Sequence, residues 1–525
     1  MAGTKNAPIG VRTPFGALPM RNDSMLFNSV IFIFFFIPFV WIAYLLSWRR
    51  SRNLLLLLAS IIFYVWGEKD GAVVLFASIL FNYLMGLWLD AVVRRDSGGP
   101  ASQVTVHFGA RTGVPSRLRK RLLAAGVAGN LALLVCYKYT GFLLANLGGF
   151  QQGFLPPATV GIHTPLGISF FTFHALSYLI DIYRSDGKAQ KNPLNFSLYM
   201  AMFPKILAGP ILQYRDAAAQ LTQRDLTVDA FAEGIRRFVI GLGKKTLIAT
   251  PLAGAADRIF AVPANALSAD LAWLGIFCFT LQIYFDFSGY SDMAIGLGKT
   301  FGFRLPENFN YPYVSQSVQE FWRRWHISLS LWFRDYLYIP LGGNRCGTGR
   351  LFFNLFAVFL LCGLWHGAGW NYIVWGLWYG TFLIFERTPP GRTLAAAPRF
   401  WRHLYTLAVV VFGWVFFRSD NLTYAFAYLK AMLGFGSEAG KEFYPALFMD
   451  REVVLCLLLG TAGSLPIARK WASALVEPAQ GSGAAPGTLV YGSMVVRTVL
   501  LGLLFFFSCM SLAGGTHNPF IYFKF

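Results

Sequence analysis

Long apolar segments follow one another along most of this chain and constrain its fold more than any other feature. They are 27–47, 53–66 continuing through 71–92, 122–149, 165–183, 269–287, 351–364, 371–385, 404–417, 452–467 and 493–513. Of the 525 residues, 55% are hydrophobic and only 13% are charged, whereas about a quarter of a soluble domain is charged. Because a helix needs about 20 mostly apolar residues to cross a bilayer, the sequence predicts an all-α polytopic membrane protein with roughly ten or more spans, some of them short or re-entrant.

Basic residues are concentrated in the loops between these segments. The chain carries 45 Lys and Arg against 25 Asp and Glu, a formal net charge of +20. Segment 94–121 holds seven of the basic residues and a single acid, Asp96, and segment 48–53 is also basic. Because basic loops of membrane proteins lie in the cytoplasm, both segments are predicted there. The bases are spread over several loops, so membrane lipid headgroups are expected as partners and nucleic acid is not.

Composition divides the chain into three parts. Residues 1–24 lack the apolar core of a signal peptide and are predicted to be an N-terminal extension or a start assigned too early. Residues 25–420 form the predicted core, and residues 421–525 form C-terminal membrane helices and linkers. Within the core, residues 200–345 are dense in Gly, Pro and aromatic side chains, and the region considered for the active site extends to about residue 372. Irregular backbone at membrane depth must be buried or line a wet cavity, so this region is predicted to contain the active site.

The first histidine of interest lies in FWRRWHISLSLWFRDYLY, residues 321–338. If this segment is one helix, His326 and Trp325 fall on its aromatic face. The opposite face is basic and carries Arg323, Arg324 and Arg334. That basic face is predicted to lie at the level of the lipid headgroups.

The second histidine, His366, lies in LLCGLWHGAGWN, residues 360–371. Gly363 and Gly367 around it have a spacing that lets another backbone approach closely. A neutral imidazole in an apolar site can accept a proton near neutral pH, which suits a general base. The alternative is that a histidine here only bonds to a backbone carbonyl, but ionisable residues within membranes favour a functional role.

Other catalytic or metal-binding patterns are weak. Cys362 and His366 are four residues apart, but there is no HExxH motif and no nearby carboxylate, so no metal site is predicted. Asp286 and Asp292 would point to different faces of a helix, and Asp286 is predicted either to line a polar cavity or to cap a helix. The stretch GLGKKT, 241–246, is predicted to be a basic helix end. The six cysteines have no CxxC spacing and are expected to be small core residues.

Two long segments identify a family. PENFNYPYVSQSVQEFWRRWHISLSLWFRDYLYIPLGGNR, 306–345, and GLWHGAGWNYIVWGLWYG, 363–380, closely resemble the membrane-bound O-acyltransferase family. The likeness extends from about residue 25 to residue 420, includes PLGISFFTFHALSYLIDIYR and LQIYFDFSGYSDMAIGLG, and is expected to fade after about residue 435. The resemblance implies a ring of tilted transmembrane and re-entrant helices around a thin centre, crossed by a tunnel.

The resemblance also implies an active site. The position of His366 matches the family's catalytic histidine, and the position of His326 matches a second active-site position. Residues expected to line the site or tunnel are Trp365, Asn371, Trp325 and Asp286. Residues expected to attract coenzyme A or lipid headgroups are Arg323, Arg324 and Arg334.

The implied activity is transfer of acetyl groups from cytoplasmic acetyl-CoA, a substrate rather than a bound cofactor. The expected acceptor is an extracytoplasmic polysaccharide such as an alginate-like exopolysaccharide, reached through separate periplasmic acetyltransferase subunits at a bacterial inner membrane. Cellulose, peptidoglycan and a carrier-protein thioester donor, as in relatives that D-alanylate teichoic acids, are alternatives. A lipid or sugar transporter and a polymer-export scaffold are non-enzymatic alternatives, although the two-halved repeats of many transporters are not evident in the sequence.

Overall fold

A computed structural model describes residues 26–96, 116–147, 163–436, 443–467 and 486–514. The predicted extension 1–24 and most of the basic loop within 94–121 lie outside the described residues. Within them the chain is helical and contains no strand. The predicted all-α class is therefore confirmed.

The helices are numbered in chain order. Helices α1 to α9 are Phe32–Leu46, Arg52–Gly67, Ala72–Asp96, Arg117–Leu147, Ile168–Arg184, Pro193–Ala201, Phe203–Ile206, Tyr214–Thr222 and 228–260. Helices α10 to α19 are Ala269–Thr300, Val318–Arg324, Ile327–Phe333, Thr348–His366, Trp370–Phe385, Pro389–Ala396, Arg399–Arg418, Leu422–Lys430, Arg451–Gly463 and Pro486–Ala513. Turns of π-helix occur at Val135–Tyr139 in α4, Lys244–Ala249 in α9, Arg334–Tyr338 after α12 and Ala431–Phe435 after α17.

The outer surface of the helices is apolar. Six of the described helices are long and apolar enough to cross a membrane: α3, α4, α10, α13, α16 and the 494–513 part of α19. Three further predicted segments form the shorter helices α5, α14 and α18, of 17, 16 and 13 residues. Large side chains such as Phe39 and Leu46 are 73% and 81% exposed. In water such an exposed apolar surface would favour aggregation, whereas in a bilayer it contacts lipid. The chain is a multi-pass membrane protein.

The centre of the fold is α10. In its most apolar window 83% of the residues are buried inside the protein, against 6% in α19. Glycines at matching positions bring α9 directly against α10: a Cβ added to Gly241 would lie 2.5 Å from the carbonyl oxygen of Gly289, and one added to Gly296 would lie 2.5 Å from that of Gly234. Side chains at these positions would push the two backbones apart, so the glycines set the spacing of the helices.

Ion pairs, one buried and the others partly buried, reinforce the contact between α9 and α10. Lys245 pairs with Asp286, and both side chains are almost fully buried. Lys244 and Arg237 contact Asp292 at 2.6 and 2.9 Å. The prediction that GLGKKT is a helix end was wrong, because both lysines lie inside α9, where the π-helical turn directs them toward carboxylates of α10.

Candidate active site

His366 is the last residue of α13, in a tight hairpin with α14. A Cβ on Gly363 would lie 2.4 Å from the carbonyl oxygen of Tyr372, so the glycine allows the two helices to touch. The expected close approach of a second backbone is confirmed at this position. Gly367 differs from the expectation, because it lies beyond the helix end and its neighbour is the Tyr372 ring rather than a backbone.

The imidazole of His366 is enclosed by aromatic side chains. Its ring centroid lies 4.9 Å from that of Trp365, 4.8 Å from Trp375 and 5.4 Å from Phe417, in each case edge-on. The residue is 4% exposed. Helices α13, α14 and α16 each contribute one of these rings, so three elements fix its surroundings.

His326 lies at a break in the chain rather than within a helix. Helix α11 ends at Arg324 and α12 begins at Ile327, and His326 between them has a φ of +43°. The prediction of one continuous helix over 321–338 was wrong. The aromatic residues keep their helical spacing across the break, so the sequence pattern does not reveal it. A non-glycine residue in the left-handed region is strained and persists only where its surroundings fix it.

Asn308 fixes this break from the preceding loop. Its backbone carbonyl accepts the N–H of Ile327 at 3.0 Å. Its Oδ1 accepts the Ser328 backbone N–H at 3.1 Å and the Ser328 hydroxyl at 2.7 Å. The same Oδ1 lies 3.3 Å from Nδ1 of His326. Since a backbone N–H can only donate, the atom facing it must be the amide oxygen, and Nδ1 of His326 must carry a proton to bond to it. In a neutral ring the lone pair is then on Nε2.

The two histidines meet at one indole. The ring centroid of Trp365 lies 6.2 Å from that of His326 and 4.9 Å from that of His366. His326 is fully buried and also contacts Phe287 edge-on at 4.6 Å. The structure therefore brings together His326, His366 and Trp365, three of the residues singled out from the sequence.

A column of aromatic rings leads away from this indole, and we call Trp365, Phe173, Trp332 and Tyr336 the aromatic column. Phe173 lies 5.3 Å from Trp365 and stacks in parallel on Trp332 at 3.7 Å. Trp332 in turn lies 5.2 Å from Tyr336. The rings belong to α5, α12, α13 and the turn after α12, so the column connects the histidines with the end of α5.

Three arginines contact Asp335 at the far end of the column, and we call Arg184, Arg215 and Arg334 the arginine cluster. Asp335 pairs with Arg215 at 2.7 Å and with Arg334 at 2.6 Å, and its backbone carbonyl accepts from Arg184 at 3.0 Å. Burial alone would raise the pKa of Asp335, but its hydrogen bonds and the charges of Arg334 and Arg215 bring it below the ordinary value. The carboxylate stays ionised, and the guanidinium groups outnumber it.

The arginine cluster lies on the same side of the protein as the basic segments. Arg119, near the end of the basic stretch 94–121, donates to the carbonyl of Tyr183 and to the hydroxyl of Ser185, which flank Arg184. Asn53, the last residue of the other basic stretch, donates to the backbone carbonyl of Leu221 at 2.8 Å, and Leu221 lies on α8, the helix that carries Arg215. We call this side the basic face.

The other expected residues lie in different surroundings. Trp325 is buried against Trp414, with ring centroids 4.9 Å apart. Asn371 donates to the carbonyl of Ser419 at 2.9 Å, and Asp286 belongs to the α9–α10 ion pair. Arg324 pairs with Glu320 at 2.9 Å, Arg323 is exposed, and Arg334 belongs to the arginine cluster. Among the described residues, no group of three His, Cys, Asp or Glu side chains could hold a metal ion.

Several residues near the site were not predicted from the sequence. They are Lys138, Tyr139, Asn308, Arg184 and Arg215. Lys138 had a usable signal, because it is a lone lysine inside the apolar segment 122–149, and intramembrane ionisable residues are functional candidates. The others carried none, since their roles depend on contacts with distant segments.

A comparison with protein families agrees with this arrangement. The model of MBOAT, the membrane-bound O-acyltransferase family, matches residues 163–426, more than half of the chain and a region that includes both histidines. The chain belongs to the membrane-bound O-acyltransferase family. It is an O-acyltransferase, and its two histidines lie in the matched region.

Curated relatives of this membrane-bound O-acyltransferase are bacterial. It is 41% identical to a probable alginate O-acetylase, AlgI, of Pseudomonas aeruginosa, and 40% identical to that of Azotobacter vinelandii, over 95% of this chain and 100% of each relative. It is 35% identical to a peptidoglycan O-acetyltransferase of Helicobacter pylori, over 79% of this chain and 81% of the relative. Because 95% of the chain aligns with the first two, the likeness continues past residue 435, and the expectation that it fades there was wrong.

Proposed function

We propose that this O-acyltransferase moves acetyl groups from cytoplasmic acetyl-CoA to a polysaccharide hydroxyl outside a bacterial inner membrane. It would serve O-acetylation of an alginate-like exopolysaccharide through periplasmic partner proteins. The main support is the pair of buried histidines on Trp365, connected by the aromatic column to the arginine cluster. The names of the relatives, alginate O-acetylase and peptidoglycan O-acetyltransferase, support an acetyl group and a glycan acceptor.

The donor would bind on the basic face. The positive-inside rule favours the cytoplasm for this side. Arginine guanidiniums recognise phosphate through paired, charge-assisted hydrogen bonds, so the arginine cluster suits the phosphates of coenzyme A. The thioester arm would then follow the aromatic column toward the histidines, while the anionic nucleotide stays at the surface.

The acyl transfer needs one base, which is regenerated at the end of the reaction. His366 accepts the proton of the acceptor hydroxyl as that oxygen attacks the thioester carbonyl carbon. The carbon–sulfur bond breaks, and the departing thiolate takes the proton from His366. The products are an ester and free coenzyme A, and no metal or bound cofactor takes part in these steps.

His326 would orient the acceptor. Its Nδ1–H donates to Asn308, so its neutral ring offers a lone pair at Nε2 and accepts a hydrogen bond there. In this state Nε2 can accept a hydrogen bond from the acceptor hydroxyl. The thioester carbonyl oxygen needs a hydrogen-bond donor, which Nε2 then does not provide. We therefore assign His326 to orienting the acceptor hydroxyl.

The test uses purified protein in liposomes and acetyl-CoA labelled in the acetyl group. Release of coenzyme A and label on alginate oligosaccharides are followed for wild type, His366→Ala and His326→Ala. His403→Gln is the matched control, because His403 contacts the carbonyl of Ser315 at 3.1 Å and lies outside the aromatic centre. Size-exclusion profiles and melting temperatures establish that each variant is folded.

Loss of coenzyme A release in folded His366→Ala, with normal release in His403→Gln, supports the proposal. Full activity of His366→Ala refutes it. Label on peptidoglycan fragments or cellulose oligomers instead of alginate would keep the enzyme class and change the acceptor. Transfer only from an acylated carrier protein would change the donor.

A further inference from the structure

The helix that carries His366 is held at its end by a neighbouring helix. Helix α4 contains a single π-helical turn, Val135–Tyr139. Such turns are rare and occur frequently at functional sites. The last two residues of this turn, Lys138 and Tyr139, both reach the C-terminal end of α13.

The contacts involve three successive carbonyl groups. The Lys138 ammonium donates to the carbonyl of Trp365 at 2.6 Å and to that of His366 at 3.2 Å. The Tyr139 hydroxyl donates to the carbonyl of Leu364. The last carbonyls of any helix have no partner within the helix, and here two adjacent side chains of α4 bond to them.

Lys138 also joins a third helix to this point. Its ammonium donates to the hydroxyl of Ser169, in the first turn of α5, at 3.2 Å. The indole N–H of Trp365 donates to the backbone carbonyl of Ser169 at 3.4 Å. One lysine therefore fixes the end of α13 relative to α4 and α5, at the position from which the His366 and Trp365 rings project.

Charge makes this arrangement stronger than a neutral one. The C-terminal end of a helix carries partial negative charge on its carbonyl groups, and a cation there is stabilising. Hydrogen bonds from a charged donor are about twice as strong as neutral ones. Beyond His366 the chain continues as Gly367, Ala368 and Gly369, and glycine restrains a backbone little. The lysine thus adds a restraint to those of the following turn.

We propose that Lys138, assisted by Tyr139, is a positioning residue of the acyl transfer. By holding the last carbonyls of α13, it places the His366 imidazole and the Trp365 indole where the reacting groups meet. This inference rests on the proposed function of His366. It assigns Lys138 no contact with donor or acceptor.

The test compares Lys138→Met, Lys138→Arg and Tyr139→Phe in the liposome assay, with kcat and KM for acetyl-CoA per folded molecule. Lys138→Met keeps the length of the side chain and removes the hydrogen-bond donors. Because a misplaced His366 imidazole slows the chemical step, kcat should fall roughly 10- to 100-fold. KM should stay near the wild-type value, because the arginine cluster that would bind the donor is unchanged. Lys138→Arg keeps a charged donor and should restore most of kcat.

Thr140→Val is the matched control, because the Thr140 hydroxyl follows the same turn but donates to Cys136 of its own helix at 2.8 Å. Its kcat should equal that of wild type. If Lys138→Met does not fold, Tyr139→Phe decides, since it removes only one hydroxyl and should lower kcat with KM unchanged.

A wild-type kcat in folded Lys138→Met, a loss that Lys138→Arg does not restore, or an equal loss in Thr140→Val would overturn the inference. His366→Ala, measured in parallel, separates the two proposals. If His366→Ala is inactive while Lys138→Met has a normal kcat, only the positioning role of Lys138 fails. If it is active, the proposed function of His366 fails.

Discussion

Oδ1 of Asn308 lies 3.3 Å from Nδ1 of His326. The same oxygen accepts both the backbone N–H and the hydroxyl of Ser328, so one side chain orients the imidazole and fixes the backbone that follows it. Asn308 thereby determines which nitrogen of His326 carries the proton.

Replacing Asn308 should affect both activity and stability. Asn308→Ala leaves buried donors of Ser328 without their acceptor and should lower the free energy of unfolding by about 1–3 kcal/mol. Because the proposed function gives His326 the task of orienting the acceptor, loss of the residue that orients its ring should lower kcat roughly 10- to 100-fold. Asn308→Asp keeps an acceptor in the same place and should retain more activity than Asn308→Ala. Equal activity of Asn308→Ala and wild type would contradict the role of Asn308.

Neutralising the arginine cluster should weaken donor binding. Removal of one charge-assisted hydrogen bond corresponds to roughly a 10-fold increase in KM for acetyl-CoA, so Arg215→Gln and Arg334→Gln should each raise KM with little change in kcat. Higher ionic strength screens the charges and should therefore narrow the difference in KM between each variant and wild type. Arg236→Gln is the control, because Arg236 pairs with Glu233 on the exposed side of α9. An equal rise in KM for Arg236→Gln would indicate a general charge effect.

The glycine contact between α9 and α10 should tolerate no side chain. A Cβ at position 241 meets backbone atoms of α10 at 2.5 and 2.7 Å, so Gly241→Ala should lower stability by about 1–3 kcal/mol. Gly254→Ala, on the same helix, meets nothing within 4 Å and should be neutral or stabilising by up to about 1 kcal/mol. Melting temperatures in detergent measure both. Similar values for the two variants would argue against close packing at Gly241.

The pair of Lys245 and Asp286 provides a test of whether Asp286 has a structural or a tunnel-lining role. Lys245→Met leaves a buried carboxylate without its cation and should destabilise the protein by about 3–5 kcal/mol, whereas the double variant with Asp286→Leu should recover much of that loss. If the double variant is stable and keeps kcat, Asp286 serves the helix contact. A stable double variant without activity would place Asp286 in the reaction.

The sequence predicted the parts of the fold that depend on local pattern. Apolar runs such as 269–287 and 351–364 became α10 and α13, because a long apolar helix is the stable form of such a run in a bilayer. His326 and His366 stood out because they interrupt apolar or aromatic surroundings. The family resemblance implied that they share one active site, and the contact of both rings with Trp365 was found only in the structure.

The parts that failed depend on contacts between distant segments. The break at His326 is fixed by Asn308, and the aromatic periodicity of 321–338 contains no sign of it. The burial of Lys245 depends on Asp286, which lies on another helix. Asp181 lies three residues before Arg184, but it accepts hydrogen bonds from the Tyr336 hydroxyl at 2.8 Å and the Arg215 backbone at 3.0 Å, while Arg184 donates to the backbone carbonyl of Asp335. A local pattern cannot choose among such partners.

The aromatic rings around the histidines also oppose the passage of ions across the membrane. Phe287 lies edge-on to His326, and Trp375 and Phe417 lie edge-on to His366. Such rings offer a sodium ion no oxygen ligands in exchange for its water shell, so its entry is strongly unfavourable. Under the proposed function, a centre built in this way would let an uncharged acyl group change compartments while the ion gradients across the membrane persist.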